Sequence, residues 1–401
     1  MKKKLPNRLI PQQKLRLRQK KFRPERTLRQ MPFRRRARLS SLQLVPLMPG
    51  KPVEIQENNN SREIESLAQR RWRAFRRNRR AWYAFVIFFG VLLVSFAAEL
   101  IANDKPLILK YNNEYFFPIF KTYNETVFGG DFPTPADYRD ELIRHNIQQN
   151  GWMIMPIIPF SFNTIDYDLN AQMPAPPDAV HWLGTDDEGR DILARIIYGL
   201  RISIIFAFVL TAVSSLIGVI VGAVQGYFGG KTDIIIQRLL EIWDSLPQLF
   251  ILIIVASVFV PTFWTLLVIL LFFSWTSLTG VVRAEFLRVR NFEFVKAARA
   301  LGVGNMRIIY RHILPNALIA TVTFVPFLLS EAIVALTALD FLGLGLSHEY
   351  PSLGDLVRQG KDNLQAPWIG ITIFIVLSSL LTLLIFIGEG VRDAFDSRRN
   401  D

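Results

Sequence analysis

Residues 291–315, NFEFVKAARALGVGNMRIIYRHILP, decide how the rest of the chain is read. They predict a polar, basic hairpin of two short helices, set between apolar runs long enough to cross a bilayer. Asn291 is placed to cap the first helix, and Glu293 suits its positive end. Val295, Ala298 and Leu301 recur at helical spacing and predict one shallow apolar face. Gly302 falls where a helix ends on a residue with positive φ. Asn305 is positioned to cap a second helix, with Ile308, Ile309 and Ile313 on one side and Arg307 and Arg311 on another. Pro315 is expected to close that helix. Two readings fit these residues. Membrane topology alone makes the segment a solvated, positive cytoplasmic loop. A small-residue helix followed by a glycine turn also lets another protein's surface approach the backbone closely.

Half of the 401 residues are hydrophobic and the mean hydropathy is +0.24, which excludes an ordinary soluble chain. The net charge of +13 is unevenly spread. Residues 1–81 hold 25 Lys and Arg against 5 Asp and Glu, whereas residues 102–198 hold 7 against 14. Residues 283–312 hold 7 against 2. Such a division separates two sides of a membrane, with the positive segments cytoplasmic. The absence of cysteine excludes disulfides, thiolate metal sites and cysteine nucleophiles.

Taken in order, residues 1–61 predict a disordered, basic cytoplasmic tail. A basic arm neutralises phosphates, so nucleic-acid binding stays open, but the few aromatics point to no specific nucleic acid and attraction to anionic membrane lipid fits at least as well. Residues 62–101 predict a basic amphipathic helix, with Leu67, Trp72 and Phe75 toward lipid, leading into a first span from Trp82. Residues 102–198 form a periplasmic insert. Nine prolines in 102–182 and many Asn and Asp predict short extended pieces and turns. His145 and His181 lack ligand-like spacing, and Asp166 and Asp168 read as turn residues. In HWLGTDDEGRDILARIIYGLRISI, residues 181–204, Thr185 or Asp186 is expected to cap a helix whose first turn is acidic.

Residues 199–390 hold five further apolar runs. The run near residues 239–260 is expected to kink at Pro247. A short outer loop is expected at 347–368, and residues 391–401 form a cytoplasmic C-terminus. Gly229-Gly230-Lys231-Thr232 is a turn and not a phosphate loop, because position 225 is Gln and a membrane helix precedes it. The chain therefore has no nucleotide site of its own. Glu331 sits deep in a span, where a carboxylate costs several kcal/mol unless paired, hydrated or protonated. It faces a transport path or bonds within the bundle; both remain open. Asp340 and Glu99 lie near span ends, where solvent is close.

The pattern Ala297-Ala298-x-x-x-Gly302, with Leu314-Pro315 downstream, resembles the EAA loop of permease subunits of ABC importers. Residues 181–204 and 388–398 resemble segments of the dipeptide and oligopeptide permease group, C type. Residues 99–107, 280–294, 340–347 and 360–371 narrow the resemblance to a branch that imports oligopeptides and the peptide antibiotic microcin C. The resemblance implies an all-α integral membrane protein of six transmembrane helices, MetI-like, in the bacterial inner membrane with both termini cytoplasmic. It implies a non-catalytic subunit working with a second homologous permease, an ATP-binding subunit that carries ATP and Mg, and a periplasmic peptide-binding protein. Ala297, Ala298, Gly302, Leu314 and Pro315 would form the loop that docks the ATPase within 283–315. Asp186, Arg190 and Asp191 would contact the binding protein or anchor the following span. Lys296 stands where that family has Glu, and His312 where it has Ile, so the docking role carries over without the salt bridge of that Glu. The competing class is an ion-coupled secondary transporter or channel using Glu331.

Overall fold

The computed structural model describes residues 66–395, apart from 168, 170 and 348. The basic tail and the last six residues lie outside the described residues.

Helix α1 (Leu67–Arg77) starts in a capping box, Ser66 and Gln69 each taking the other's backbone N–H. It breaks at Asn78, whose side chain accepts from Ala81 N at the start of α2 (Arg79–Phe96). Trp72 stays exposed, but Phe75 turns inward against Ala81 and Ala394, contrary to its expected lipid-facing place. The short α3 (Ala98–Ile101) ends the first span.

The insert carries a three-stranded antiparallel sheet, β1 (Ile108–Tyr111), β2 (Glu114–Phe116) and β3 (Gly151–Ile154), in the order β2-β1-β3. Asn112 and Asn113 both take positive φ in the tight β1–β2 turn, which Asn tolerates better than most side chains. The amphipathic α4 (Glu141–Asn150), capped by Asp140, closes over the sheet. Phe128, Leu109, Tyr138, Ile143 and Ile147 make the small core between them.

Helix α5 (Ile192–Phe228) follows, 37 residues or about 55 Å long. Next come α6 (Gly230–Asp244), α7 (Gln248–Val258), α8 (Phe263–Ser274) and α9 (Thr276–Val289). The hairpin is α10 (Glu293–Ala300), α11 (Asn305–Arg307) and a wider π-type turn, Ile308–Ile313. It runs directly into α12 (Leu314–Phe341), followed by α13 (Leu353–Asp362) and α14 (Pro367–Phe395). Among the described residues, five helical stretches are long and apolar enough to span a bilayer, α8 counting with α9 and the hairpin's second half with α12, and six if α6 and α7, bent by 63°, make one span. Pro247 caps α7 at that bend, so the expected kink is a full break.

α5 lies against α9 along Gly218, Gly222 and Gly226. A Cβ added at Gly222 would meet the Thr279 carbonyl oxygen at 2.7 Å, so only glycine lets the two backbones approach this closely. A cluster including Phe206, Leu210, Leu266, Leu270, Ile333, Leu336 and Leu380 fills the bundle centre. Two expectations for the insert end of the bundle change. Residues 353–362 are a helix that buries Leu353 and Leu356, not an open loop. Asp340 is buried, taking the Leu346 N–H at 2.8 Å and the Ser352 hydroxyl at 2.5 Å, so it is a structural turn anchor and not a solvated group. Glu99 pairs with Arg201 at 2.6 Å.

Candidate functional site

The hairpin lies at one end of α5 and the insert at the other. Its first helix stops in a Schellman turn: Gly302 N donates to Arg299 O and Val303 N to Ala298 O, with Gly302 at φ +77°. Asn291 and Asn305 do not cap. Asn291 donates to Leu287 O at the end of α9, and Asn305 accepts the Tyr227 hydroxyl at 2.7 Å. Pro315 does not close a helix either; it sits in the first turn of α12, where its missing N–H is harmless.

Val295, Ala298, Ile308 and Ile313 are buried against Val282, Phe286, Val289 and Tyr227. The Arg290 guanidinium donates to the last carbonyls of α5, Gly226 O and Tyr227 O, at 3.1 and 3.3 Å. Arg283 holds Asp233 of α6 through two bonds of 2.6 and 2.8 Å. The hairpin base is thereby fixed to α5 and, through α9, to α6.

Its tip is the reverse. Leu301 is 84% exposed and Met306 73% exposed, beside an open Gly302 that has no neighbour within 4 Å of an added Cβ. Phe292, Phe294 and Tyr310 are also exposed on the hairpin. Among the residues expected to dock, Ala297, Gly302 and Pro315 are exposed, Leu314 is half-buried, and Ala298 faces the bundle. Leu301 shares the helical spacing of Val295 and Ala298, but the turn at Gly302 swings it out while those two are buried. Lys296 pairs with the exposed Glu293 at 2.9 Å.

At the other end, Asp186, Arg190 and Asp191 are buried rather than presented on an exposed helix face. Asp186 is no helix cap. One of its oxygens accepts from Glu188 N and Arg190 N, the other from Arg190 Nε at 2.8 Å and from Arg195. Arg195 reaches on to Asp355 of α13 at 3.1 Å, and Arg358 and Gln359 also bond Asp355. Burial pushes the Asp355 carboxyl up, but Arg358 and Arg195 outweigh it and leave its pKa below the usual range. Asp191 is the true cap, accepting from Ala194 N at 2.8 Å. Its other oxygen bonds His181 Nδ1 at 2.9 Å, while His181 Nε2 lies 3.2 Å from Asp166. Asp166, expected as a turn residue, also takes Arg139 at 2.6 Å. Burial opposes a charged His181, yet these two carboxylates outweigh it and raise its pKa above the ordinary 6.5.

Glu331 opens into a polar cleft of about 320 Å³ lined by α5, the α6–α7 break, α8, α9 and α12. Thr211, Ser214, Asp244, Ser274 and Ser277 share its wall.

The family described as "Binding-protein-dependent transport system inner membrane component" matches residues 214–401, and "N-terminal TM domain of oligopeptide transport permease C" matches residues 66–118. The chain is 52% identical over 336 residues to the inner membrane ABC transporter permease protein YejE of Escherichia coli K12, covering 84% of this chain and 98% of that protein. This chain belongs to the permeases of ABC-type peptide importers. The permease is also 48% identical to the peptidoglycan transport system permease protein YejE of Agrobacterium fabrum, over 82% of this chain and 93% of that protein. It is 34% identical to the oligopeptide transport system permease protein OppC of Haemophilus influenzae, over 60% of this chain and 77% of that protein. The permease is thus an all-α, multi-pass inner-membrane protein, with the sheet of the insert as its one departure among the described residues.

Proposed function

We propose that this permease imports oligopeptides, microcin C and peptidoglycan-derived peptides among them, by alternating access driven by ATP hydrolysis in a partner. The observation that carries the coupling role is the apolar tip at Leu301 and Met306, held out on a glycine turn whose base is bonded to α5 and, through α9, to α6. Large apolar side chains this exposed on a water-facing loop mark a protein contact. In this reading the hairpin end is cytoplasmic and the acidic insert periplasmic, which the division of charge supports.

A separate ATP-binding subunit, holding ATP and Mg, grips the tip; a second permease completes the path, and a periplasmic peptide-binding protein delivers cargo. Ala297, Gly302 and Pro315 supply open backbone at the docking face, Ala298 and Leu314 its packed underside. Closure of the ATPases moves the hairpin, and Arg290 and Arg283 pass that motion to α5 and α6. The test is purification in mild detergent from wild-type cells and from cells carrying Leu301→Asp. The wild type is expected to bring an ATP-binding subunit and a second permease, and the variant to keep the permease while losing the ATPase and peptide uptake. Normal uptake in the variant, or transport by the wild type with no ATPase attached, overturns the coupling role and favours ion-coupled transport through Glu331.

A further inference from the structure

At the hairpin end of the bundle, the corner between α1 and α2 sits on the last turns of α14. Gly390 makes that seat possible: a Cβ there would lie 2.1 Å from the Ala81 Cβ and 3.1 Å from the Phe75 ring. Asn78 fastens the corner, accepting from Ala81 N and donating to the Asp393 carboxylate, each at 3.4 Å. Beside this seat the three helices enclose a concave space of about 780 Å³, whose charged lining is Arg77, Arg79, Arg80, Arg392, Glu389 and Asp393. Other arginines of the corner are engaged. Arg71 lies over the Phe395 ring at 4.5 Å, and Arg76 over Trp82 at 4.7 Å. Arg77, Arg79, Arg80 and Arg392 are exposed, and none has a hydrogen-bond or ion-pair partner among the described residues. Four guanidiniums against two carboxylates leave this wall with a net charge of +2.

A group that satisfies this wall has to be an anion rich in acceptors. The chain's own N-terminal residues 1–61 are basic and do not complement it. The two spans that line the space expose Tyr83, Val86 and Ile87 on α2 and Ile385 and Phe386 on α14. The pocket therefore lies where lipid chains give way to headgroups, and the anion a membrane supplies at that level is lipid phosphate. We propose that this pocket binds the headgroup of cardiolipin, in which one glycerol bridges two phosphodiesters. The guanidinium fork matches phosphate oxygens bidentately, and two phosphates balance the +2 wall where phosphatidylglycerol brings only one. The acyl chains lie along the exposed faces of α2 and α14. Bound there, one lipid ties the end of α1 and the start of α2 to the end of α14, adding to the single Asn78–Asp393 bond. The inference is independent of cargo and of coupling, and needs only that the chain spans a membrane.

The permease complex is isolated in mild detergent, washed free of lipid, and titrated with cardiolipin, phosphatidylglycerol or phosphatidylethanolamine. Bound lipid is counted by native mass spectrometry. At equal phosphate, the wild type is expected to bind cardiolipin at least about fivefold more tightly than either other lipid. Each interfacial arginine adds about a fivefold gain in affinity for anionic lipid, so Arg79→Gln with Arg392→Gln should weaken cardiolipin binding at least about tenfold. Arg307→Gln with Arg311→Gln removes the same charge from exposed side chains of the hairpin. Charges outside the pocket are screened by salt, so that pair should change the affinity less than about twofold. Equal affinity of the wild type for cardiolipin and phosphatidylglycerol overturns the proposal, and that comparison needs no variant to fold. An equal loss in the two double variants also overturns it, because diffuse surface charge then holds the lipid. So does displacement of cardiolipin by millimolar inorganic diphosphate, which would make the pocket a site for free phosphate anions. Lipid is counted without ATP or peptide, so the result stands whether or not an ATP-binding subunit is attached.

Discussion

The two ends of α5 solve opposite problems with similar residues. At the insert end, the charges of Asp186, Arg190, Arg195 and Asp355 are buried and bonded to one another, tying α13 and the insert to the start of the helix. At the hairpin end the charged side chains Lys296, Arg307 and Arg311 are exposed, and large apolar side chains are exposed beside them. The first end is closed on itself. The second is open to a partner. Substitutions at the insert end should therefore reduce stability, and those at the hairpin tip should reduce coupling with stability intact.

The largest expected effect is at Arg195, which is 1% exposed. Arg195→Met leaves Asp186 and Asp355 buried with one partner fewer, a loss of about 3–5 kcal/mol. It should appear as a sharp fall in the thermal midpoint of the purified importer. Ala298→Asp comes next, because Ala298 faces the bundle and a carboxyl there meets Val295 and Ile308. A loss of about 2–3 kcal/mol is expected, read as lower yield of assembled complex. An Ala298→Asp permease that assembles normally but fails to transport would move this residue from the packed underside to the docking face.

A smaller effect depends on pH. The His181 pKa is raised in the folded state, so its contribution is full below its ordinary value of 6.5 and is lost as pH rises through the folded value. Thermal midpoints measured upward from about pH 6 should fall, and His181→Gln should flatten that slope. A slope unchanged in the variant would leave the junction's stability with the arginine pairs alone. The smallest effect on stability is at Leu301. Leu301→Ser, at an exposed tip, should change the thermal midpoint by less than the equivalent of about 0.5 kcal/mol while abolishing peptide uptake. That pairing of results sets the two ends apart most cleanly.

Much of this was legible in the chain. The apolar runs, the charge division and the turn at Gly302 located the spans and the hairpin, and Pro247 marked the break between α6 and α7. The family resemblance added the motif for which a docking role is proposed. What stayed hidden depended on distant partners. In GTDDEGRD the acids look like a helix start, but Asp186 is committed to Arg190 and Arg195, and Arg195 to Asp355, 160 residues away. His181 read as a lone histidine because Asp166 and Asp191 flank it only in the fold. Leu301 fits an inward helical spacing until the positive φ of Gly302 ends that spacing.

Cysteine cross-linking tests the central claim most directly, since the chain contains no cysteine of its own. Single cysteines at Leu301→Cys and Met306→Cys, with Glu188→Cys at the insert end as control, are treated with a short bifunctional reagent in isolated membranes. The tip cysteines are predicted to capture the ATP-binding subunit, and the control is not. Capture of that subunit through Glu188→Cys, or failure of both tip cysteines in membranes that import peptide, would contradict the account.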